Sequence, residues 1–587
     1  MSLNEDQGLV ANSTDHTLVC AGPGTGKTHT SITLADNLLA VPGNSMIMVT
    51  FTRNGADELQ ERLQRKLPES SLSRVKADTF HSLMLVLYRR AKLPLKVIMG
   101  ADQYNLIKAA IRQFDSSLME DYMDITQSID KLGRAMDSGP SDLPLEHQEI
   151  NKVYLKLCEK YRKIDMNGAS KLVIGMLETG QLPTFRASHM LIDEYQDTDP
   201  IQYRWAKIHG ENGTKIITIG DDDQSIYSFR SALGFKGMEL FQSTFDADAY
   251  VLRTCYRCHE EILYAAMSLI EKNTHRVPKR LNSALGRGGR VDIIDVIEAN
   301  NEIEQIIKKA TEVEGSWAVL ARNRKLLDTL EAHIKESGLT YKRLDSKNIL
   351  DNPEIESCMR LLGSLEFKNN THSVIDSLMF LQEDESNIEI IKNYLSSNRQ
   401  GFEFIAKSDF GSCSKEVMDL SVIWGDLKQD TSDVTEIKRR CTSLLKIIWA
   451  AKEVTPDKQG KIFQVFMDMF SSWALKKGWN EAVSLCNYML KNRKNIDDKV
   501  YDIVLGTMHS SKGLEFDNVW LMAMNEAVCP GGASTTEEIE EERRLVYVGM
   551  TRAKKYLALS YYKEKISFFL NEIDYENVNR IEMRGNS

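Results

Sequence analysis

The segment at residues 21–28 constrains the fold of this chain more than any other feature. It reads Ala-Gly-Pro-Gly-Thr-Gly-Lys-Thr and follows the apolar run Thr17–Cys20. With Ala21 in the first glycine position, it fits the pattern G-x-x-x-x-G-K-[ST], which forms a phosphate-binding loop between a strand and a helix. The alternative is a chance match, in which a glycine-rich turn precedes an ordinary helix.

The residue types of this loop suit a nucleoside triphosphate and magnesium. Glycines let backbone N–H groups turn toward phosphate oxygens, and the helix that follows directs the positive end of its dipole at them. Lys27 would contact the outer phosphates, and Thr28 would offer its hydroxyl to the metal. The residues assigned to this site are Ala21, Gly22, Gly24, Thr25, Gly26, Lys27, Thr28 and His29.

Length and composition narrow the class of protein. A chain of 587 residues predicts roughly three to five structural units. No apolar run approaches the roughly 20 residues that cross a bilayer, and the polar N-terminus does not resemble a signal peptide. Nine cysteines without a regular framework suit a reducing cytosol, so we expect a cytoplasmic protein without a membrane partner. The net charge of −10 excludes a uniformly basic surface but not a basic groove.

Two groups of apolar strands alternate with helical segments, which predicts parallel sheets covered on both faces. The predicted strands of the first group are Thr17–Ala21, Met46–Phe51, Val75–Thr79, Met190–Ile192 and Lys215–Ile219. Those of the second group are Val291–Val296, Trp317–Ala321, Asp502–Gly506, Val519–Ala523 and Tyr556–Tyr561.

Helical periodicity interrupts each group, so we predict an α/β fold in which two cores each carry a mainly helical insertion. The first core comprises residues 1–86 and 187–282, and its insert residues 87–186. The second core comprises residues 283–370 and 501–587, and its insert residues 371–500.

Polar side chains follow two of the predicted strands, and ligands of α/β sheets bind beyond the carboxyl ends of strands. Asp193 would hold Mg²⁺, and Glu194 would orient and deprotonate the water that attacks a γ-phosphate. Gln224 could hydrogen-bond the same phosphate. Tyr227, Phe229 and Arg230 come next in the chain, and aromatics beside an arginine form a stacking surface for single-stranded bases. The alternative is that these aromatics belong to the core.

Cys255 and Cys258 form a Cys-x-x-Cys pair. A structural metal site needs further ligands at a readable spacing, and the neighbouring sequence offers none. We therefore do not assign a metal to this pair.

Together these motifs resemble the superfamily 1 DNA helicases of the UvrD/Rep/PcrA group, from Gln7 to about Tyr561. Further segments resemble the family's motifs in the family's order. They are Asn4–Gln7, Thr50–Ala56, Ala77–Ser82, Tyr256-Arg257, Thr507–Phe516 and Glu541–Ala553.

The resemblance implies a role for individual residues. Gln7 would read adenine, Tyr256 would stack on it, and Glu515 would contact the nucleotide sugar. Arg257 would reach the γ-phosphate, and Arg552 would act as an arginine finger from the second core. The residues expected to contact DNA are Phe51, Thr52, Arg53, Thr79, His81, Tyr227, Phe229, Arg230 and His509.

The resemblance also implies ATP hydrolysis between two RecA-like cores. Closing and opening of the cleft would drive 3′-to-5′ movement on single-stranded DNA and duplex separation, in repair, replication restart or recombination. The expected partners are single-stranded DNA and single/double-strand junctions, with self-association or an accessory protein also compatible. One alternative is a single-strand translocase or the motor subunit of a larger complex, such as an anti-phage complex. Another is a P-loop ATPase switch without motor activity.

The chain departs from the family's pattern at several positions. Phe229 stands where tryptophan is usual, and Cys255 and Cys258 stand where asparagine and serine are common. The insert at 371–500 is shorter than usual. Since about thirty residues follow the last motif, we expect no fused nuclease domain.

Overall fold

The computed structural model describes residues 2–136, 143–344, 352–366, 371–398, 405, 413–452, 460–491, 501–562, 566–574, 576 and 578–582. The predicted domain boundaries at residues 370 and 500 lie outside these ranges.

The strands are β1 (Thr17–Ala21), β2 (Met46–Thr50), β3 (Val75–Thr79), β4 (Lys96–Ile98), β5 (Lys163–Asp165), β6 (His189–Ile192), β7 (Lys215–Gly220), β8 (Asp248–Leu252), β9 (Thr254–Cys255), β10 (Asn282–Ser283), β11 (Arg290–Val296), β12 (Trp317–Ala321), β13 (Tyr341–Arg343), β14 (Ile503–Thr507), β15 (Phe516–Leu521), β16 (Ala553–Tyr562) and β17 (Asn579–Glu582).

The helices are α1 (Glu5–Ala11), α2 (Lys27–Ala40), α3 (Arg53–Lys66), α4 (Glu69–Leu72), α5 (Phe80–Arg90), α6 (Ala101–Asp115), α7 (Tyr122–Arg134), α8 (Leu145–Lys160), α9 (Met166–Glu178), α10 (Pro200–Glu211), α11 (Gly234–Phe245), α12 (Glu260–Ile270), α13 (Ala299–Glu312), α14 (Arg324–Ser337), α15 (Pro353–Gly363), α16 (Thr371–Phe380), α17 (Glu385–Asn398), α18 (Lys415–Leu427), α19 (Val434–Ala451), α20 (Lys461–Lys477), α21 (Trp479–Lys491), α22 (Thr536–Met550) and α23 (Phe568–Glu572).

The first core is a six-stranded parallel sheet in the order β3-β2-β6-β7-β1-β8. All five residues of β1 are buried, because helices cover both faces of the sheet. This position brings the loop after β1 next to the ends of β6 and β7, where the predicted carboxylates and Gln224 follow. The prediction of an α/β fold with parallel sheets is confirmed.

The second core is a seven-stranded parallel sheet in the order β13-β14-β12-β15-β16-β11-β17. Its five predicted strands correspond to β11, β12, β14, β15 and β16. Strands β13 and β17 of this sheet, and β8 of the first core, were not among the predicted strands. All three lie at the edge of a sheet, where a strand is short or partly exposed and the apolar pattern is weak.

The two predicted inserts share one hydrophobic cluster. Helices α6, α7 and α8 contribute residues from the first insert, and α16 to α21 contribute residues from the second. Helix α15, which lies in the range assigned to the second core, packs into the same cluster through Ile355 and Leu362. Helix α9 packs instead with α5 and α10 against the first sheet. Helices α6 to α8 and α15 to α21 therefore form one helical body, which joins the two inserts without α9.

Buried charges join the inserts beside this cluster. Glu354 at the start of α15 pairs with Lys108 of α6 at 2.8 Å and with Lys452 after α19 at 3.2 Å, and it also accepts a hydrogen bond from the hydroxyl of Tyr104. Burial opposes the ionisation of Glu354, but the two lysines outweigh it and lower the pKa of this carboxyl to about 2. Burial lowers the pKa of Lys452 to about 8, so this lysine depends on Glu354 for compensation.

Of the helices that the structure describes, none is both long enough and apolar enough to span a lipid bilayer.

We predict that the two inserts keep a fixed separation. Dyes attached at Leu155→Cys in α8 and Val422→Cys in α18, both exposed positions, should give one narrow transfer-efficiency population in single-molecule FRET. The Cys413→Ser background removes the part-exposed native thiol. Glu354→Ala should broaden the distribution, because breaking a buried ion pair costs about 3–5 kcal/mol.

Glu149→Ala is the matched control, since Glu149 forms an exposed pair with Lys152 on one helix. Two well-separated populations in the unmodified protein would show that the inserts move independently and would contradict the shared body.

Candidate active site between the two cores

The loop between β1 and α2 takes the conformation that its glycines allow. Gly24 and Gly26 have φ values of 67° and 78°, in the left-handed region. A Cβ atom at Gly24 would lie 2.5 Å from Cβ of Arg257, and one at Gly26 would lie 2.7 Å from Nε2 of Gln7. Gly26 is also the N-cap of α2 and supplies no side-chain cap, so the first N–H groups of the helix are left for a ligand.

Gln7 and Tyr256 flank the loop on one side. The side chain of Gln7 donates from Nε2 to the Thr25 carbonyl at 3.0 Å. The backbone N–H of Tyr256 donates to the Gly24 carbonyl at 2.8 Å, and its hydroxyl accepts from Nδ2 of Asn4 at 2.9 Å. The Tyr256 ring is 40% exposed, which leaves a face open for a planar ligand beside the phosphate loop.

Asp193 and Glu194 lie beyond the end of β6, opposite the loop. Glu194 has a φ of 51°, an uncommon conformation for this residue type, and its Oε1 lies 3.9 Å from Nζ of Lys27. Burial and the adjacent Glu194 carboxylate raise the pKa of Asp193. Burial also opposes the ionisation of Glu194, but the charges of Lys27 and Lys512 outweigh it and lower the pKa of this carboxyl. Glu194 is therefore held as an ionised carboxylate at neutral pH.

The oxygen donors near the loop fit Mg²⁺. The carboxylate of Asp193 and the hydroxyl of Thr28 line the same cleft, and hard oxygen donors are the ligands that this ion prefers.

A cleft of about 930 Å³ separates the two cores. The first core contributes the loop and both carboxylates, and Tyr256 and Arg257 line it near the junction of the cores. The second core contributes residues 512–515, 554 and 555, which include Glu515. Five other residues predicted for the nucleotide site do not line the cleft but lie behind the residues that do. They are Gln7, Ala21, Gly22, Gln224 and Arg552.

Arg552 is 1% exposed and reaches across to the first core, where its Nη2 donates to Oε1 of Gln224 at 3.1 Å. The other oxygens that it contacts belong to Val548, Leu514 and Thr551 and are uncharged. Burial and the neighbouring Arg257 lower the pKa of Arg552 to about 9. Among the described residues no carboxylate forms an ion pair with this guanidinium, so the position suits a phosphate nearby.

Arg257 is held differently. Its Nε donates to Oε2 of Glu515 at 2.9 Å, and its Nη1 donates to the Thr551 carbonyl at 3.3 Å. Glu515 also pairs with Lys554 at 2.7 Å. A ligand that hydrogen-bonds the Glu515 carboxylate would therefore free the Arg257 guanidinium to turn toward the cleft.

Lys512 bridges the two cores, and it was not among the predicted site residues. Its Nζ lies 2.6 and 2.8 Å from the carboxylate oxygens of Asp197 and 2.9 Å from the Gln224 carbonyl. The side chains of Lys512 and Asp197 are 9% and 2% exposed. Lys512 lies in the motif segment Thr507–Phe516, but Asp197 is 315 positions away, and no local pattern pairs such residues.

A second buried cation, Lys279, was also missed. Its ammonium is fully buried 3.0, 2.7 and 2.6 Å from the carboxylates of Asp221, Asp222 and Asp223. Asp221 in turn accepts a hydrogen bond from the side chain of Gln224 at 2.6 Å. Lys279 therefore fixes the turn that carries Gln224 to the contact between the cores.

An aromatic run crosses from the first core to the second. The ring of Phe51 stacks on Tyr227 at 5.8 Å, Tyr227 meets Phe229 edge-on at 5.8 Å, and Phe229 meets His509 at 6.2 Å. The guanidinium of Arg230 lies 5.5 and 5.6 Å from the centres of the Tyr227 and Phe229 rings. Phe229 is 46% exposed, so one ring of the run is open to a ligand.

The remaining predicted DNA contacts are more varied. Thr52 and Thr79 accept from the backbone N–H groups of Gly55 and Ser82 and so cap α3 and α5, while Arg53 is exposed at the start of α3. His81 lines a second cavity together with Phe51, Thr52 and Arg230. Burial and the nearby Arg134 lower the pKa of His81, and burial and three nearby cations lower the pKa of His509 to about 4. Both rings are therefore neutral near pH 7 and suit stacking or hydrogen bonding.

Comparison with known families agrees with this arrangement. The family model described as UvrD/REP helicase N-terminal domain matches residues 3–246. The model described as UvrD-like helicase C-terminal domain matches residues 250–389 and 461–564. The chain belongs to the UvrD/REP helicase family. The family resemblance inferred from the motifs is confirmed, and the interruption of the second match falls within the predicted second insert.

Individual helicases of this family are similar over most of the chain. ATP-dependent DNA helicase Rep of Buchnera aphidicola is 27% identical, covering 94% of this chain and 92% of its own length. ATP-dependent DNA helicase PcrA of Staphylococcus epidermidis is 25% identical over 95% of this chain and 83% of its own length. DNA helicase II of Haemophilus influenzae is 25% identical over 97% and 86%, respectively.

We predict that Lys512→Met loosens the contact between the cores. The change leaves the buried Asp197 carboxylate without its cation, which costs about 2–5 kcal/mol. Amide hydrogen exchange should therefore rise in the turns Tyr195–Asp197 and His509–Ser511 but not in β1. Lys308→Met on exposed α13 is the control. Unchanged exchange in both turns would show that Lys512 does not hold the cores together.

Proposed function

We propose that this member of the UvrD/REP helicase family is an ATP-dependent DNA helicase that moves 3′-to-5′ on single-stranded DNA and separates duplexes. Its ligands are then Mg²⁺-ATP in the cleft and DNA strands or junctions on the aromatic run. We place its role in repair, replication restart or recombination, on the ground of similarity to Rep, PcrA and DNA helicase II.

One observation carries the proposal: the cleft and the aromatic run both span the boundary between the cores, and they meet at Lys512. This side chain lines the cleft, pairs with Asp197, and places its Nζ 4.8 Å from the centre of the Tyr227 ring. Any change in the cleft that moves Lys512 therefore also moves the run. A nucleotide pocket within one core would not have this property.

The residues of the cleft divide the work of hydrolysis. Lys27 and the loop N–H groups bind the phosphates, and Thr28 with Asp193 would hold Mg²⁺, which supplies charge neutralisation on the phosphate oxygens. Glu194 orients the attacking water and accepts its proton. Arg257 and Arg552 stabilise charge on the transferred group, and Arg552 can do so only while its own core is closed on the first.

Movement of the cores relative to each other follows from the loss of the phosphate charge from the cleft. While ATP is bound, its phosphates attract both guanidinium groups and favour the closed cleft. Hydrolysis and release remove the attraction, so the cores separate, and Phe229 moves relative to His509 across the boundary. A base stacked on the aromatic run is then passed from one ring to the next, and the protein advances along the strand.

The proposal is tested by ATP hydrolysis with and without single-stranded DNA, together with unwinding of duplexes that carry 3′ or 5′ tails. We expect DNA to stimulate hydrolysis and only the 3′-tailed duplex to be unwound. Glu194→Gln, purified in parallel, should bind ATP but hydrolyse it about 100- to 10,000-fold more slowly, which excludes a contaminating ATPase.

Other outcomes separate the competing functions. DNA-stimulated hydrolysis without unwinding would indicate a single-strand translocase or a motor subunit. A rate of ATP hydrolysis that DNA does not change would indicate a nucleotide switch and would contradict the proposal.

We predict that Phe229→Ala weakens coupling to single strands and leaves nucleotide binding unchanged. Stacking of a base on an aromatic ring contributes about 1–3 kcal/mol, so the DNA concentration for half-maximal ATPase should rise about 5- to 150-fold. Phe114→Ala, at an exposed ring on α6, is the control. If Phe229→Ala were stimulated like the unmodified protein, stacking on Phe229 would be excluded.

A further inference from the structure

Two thiols lie directly behind the phosphate-binding loop. Cys255 ends β9 and Cys258 follows three residues later, and both are fully buried and free. The backbone N–H of Cys258 lies 3.5 Å from Sγ of Cys255, and the Cys258 side chain is close enough to lower the pKa of that sulfur. The two sulfurs are thus neighbours within one turn of the chain.

Each thiol also contacts the candidate active site. A Cβ atom at Gly24 would lie 3.2 Å from Sγ of Cys255, so this sulfur lies against the glycine that lines the cleft. Sγ of Cys258 lies 3.7 Å from the Thr551 carbonyl, which also accepts from Nη1 of Arg257. One sulfur therefore supports the loop from the first core, and the other contacts the segment that carries Arg552.

The two residues between the thiols are cleft residues. Tyr256 and Arg257 line the cleft, and Arg257 keeps its position through Glu515 and Thr551. The backbone on either side is fixed, since Cys255 pairs with Ser283 in β10 and the Ser283 hydroxyl donates to the Cys258 carbonyl at 2.7 Å. A bond between the sulfurs would have to turn the peptides of Tyr256 and Arg257.

We propose that Cys255 and Cys258 are a redox modification site: peroxide converts them to a disulfide that switches off ATP hydrolysis, and a thiol reductant restores it. The inhibitory part rests on the proposed function as an ATPase.

The chemistry balances with hydrogen peroxide as oxidant. The Cys255 thiolate attacks one peroxide oxygen, the O–O bond breaks, and the departing hydroxide takes a proton to become water. The resulting sulfenic acid is attacked by the Cys258 sulfur, which forms the S–S bond and releases a second water. Two thiols are oxidised, and one peroxide is reduced to two waters.

The surroundings favour Cys255 as the attacking sulfur. The Cys258 side chain, together with the backbone N–H groups of Cys258 and Arg257, lowers the pKa of Cys255 to about 6 against the opposing effect of burial. A thiolate rather than a thiol reacts with peroxide. Peroxide would have to reach this sulfur from the cleft, past Gly24, against which the sulfur lies.

Formation of the bond would draw Cys258 away from the Thr551 carbonyl and turn Arg257 away from Glu515. Both contacts lie between the cores, so the oxidised protein would hold its arginines out of position. We expect DNA-stimulated ATP hydrolysis to fall about tenfold or more and to recover in dithiothreitol. A bound ATP analogue should slow the oxidation, because its phosphates cover the loop.

Peptide mapping tests the site independently of activity. Trypsin cleaves after Arg253, Arg257 and Lys272, so the disulfide would join the peptides 254–257 and 258–272 in a digest without reductant. We expect this linked species after treatment of the full chain with hydrogen peroxide, and its loss on reduction. Cys258→Ser, which keeps the shape of the side chain, should hydrolyse ATP when reduced and resist inactivation by peroxide.

Cys413→Ser is the matched control, since Cys413 alone among the nine cysteines is part-exposed; this variant should remain as sensitive as the unmodified protein. The proposal is overturned if no linked peptide forms, if the linked protein keeps full activity, or if Cys258→Ser is inactivated equally. Formation of the linked peptide in a protein that hydrolyses no ATP even when reduced would instead refute the proposed function, and the switch with it.

Discussion

The ion pair between Lys512 and Asp197 is the contact on which the rest of this structure depends. It is almost fully removed from water and joins the segment after β14 to the turn after β6, one from each core. Two charges persist in such a place only while each compensates the other. Arg552 and Gln224 lie beside this pair, and their side chains form a hydrogen bond between the same two cores. The closed cleft is therefore a state defined by a small set of buried polar contacts, which a ligand can strengthen or release.

The helical body forms a second connection between the cores. Because both inserts share one hydrophobic cluster and a buried Glu354, a motion of one core against the other must carry this body along or bend the segments that enter it. The cores are thus linked at the cleft by polar contacts and through the helical body by apolar packing. Apolar packing of this extent is costly to separate, whereas a bound ligand can offer new partners to the polar groups of the cleft, so we expect the cleft to be the part that opens.

Local sequence patterns predicted the parts that local chemistry determines. The loop at 21–28 follows from its glycines, and the central strands from continuous apolar runs such as β12. The pairing of Lys512 with Asp197, the burial of Lys279 among three carboxylates and the merging of the inserts could not be predicted in this way. Each depends on residues far apart in the chain, and an apolar helix face does not reveal which helix will cover it. The roles assigned to the individual site residues stay predictions that mutation must test.

The central claim is that nucleotide and DNA act on one boundary between the cores, so each must change the affinity for the other. The most direct test measures the dissociation constant of single-stranded DNA with and without a non-hydrolysable ATP analogue, and that of the analogue with and without DNA. We predict that the analogue changes the dissociation constant of DNA, and DNA that of the analogue, by the same factor of about 5 to 150. A ratio of one would show that the two sites are independent and would contradict the account.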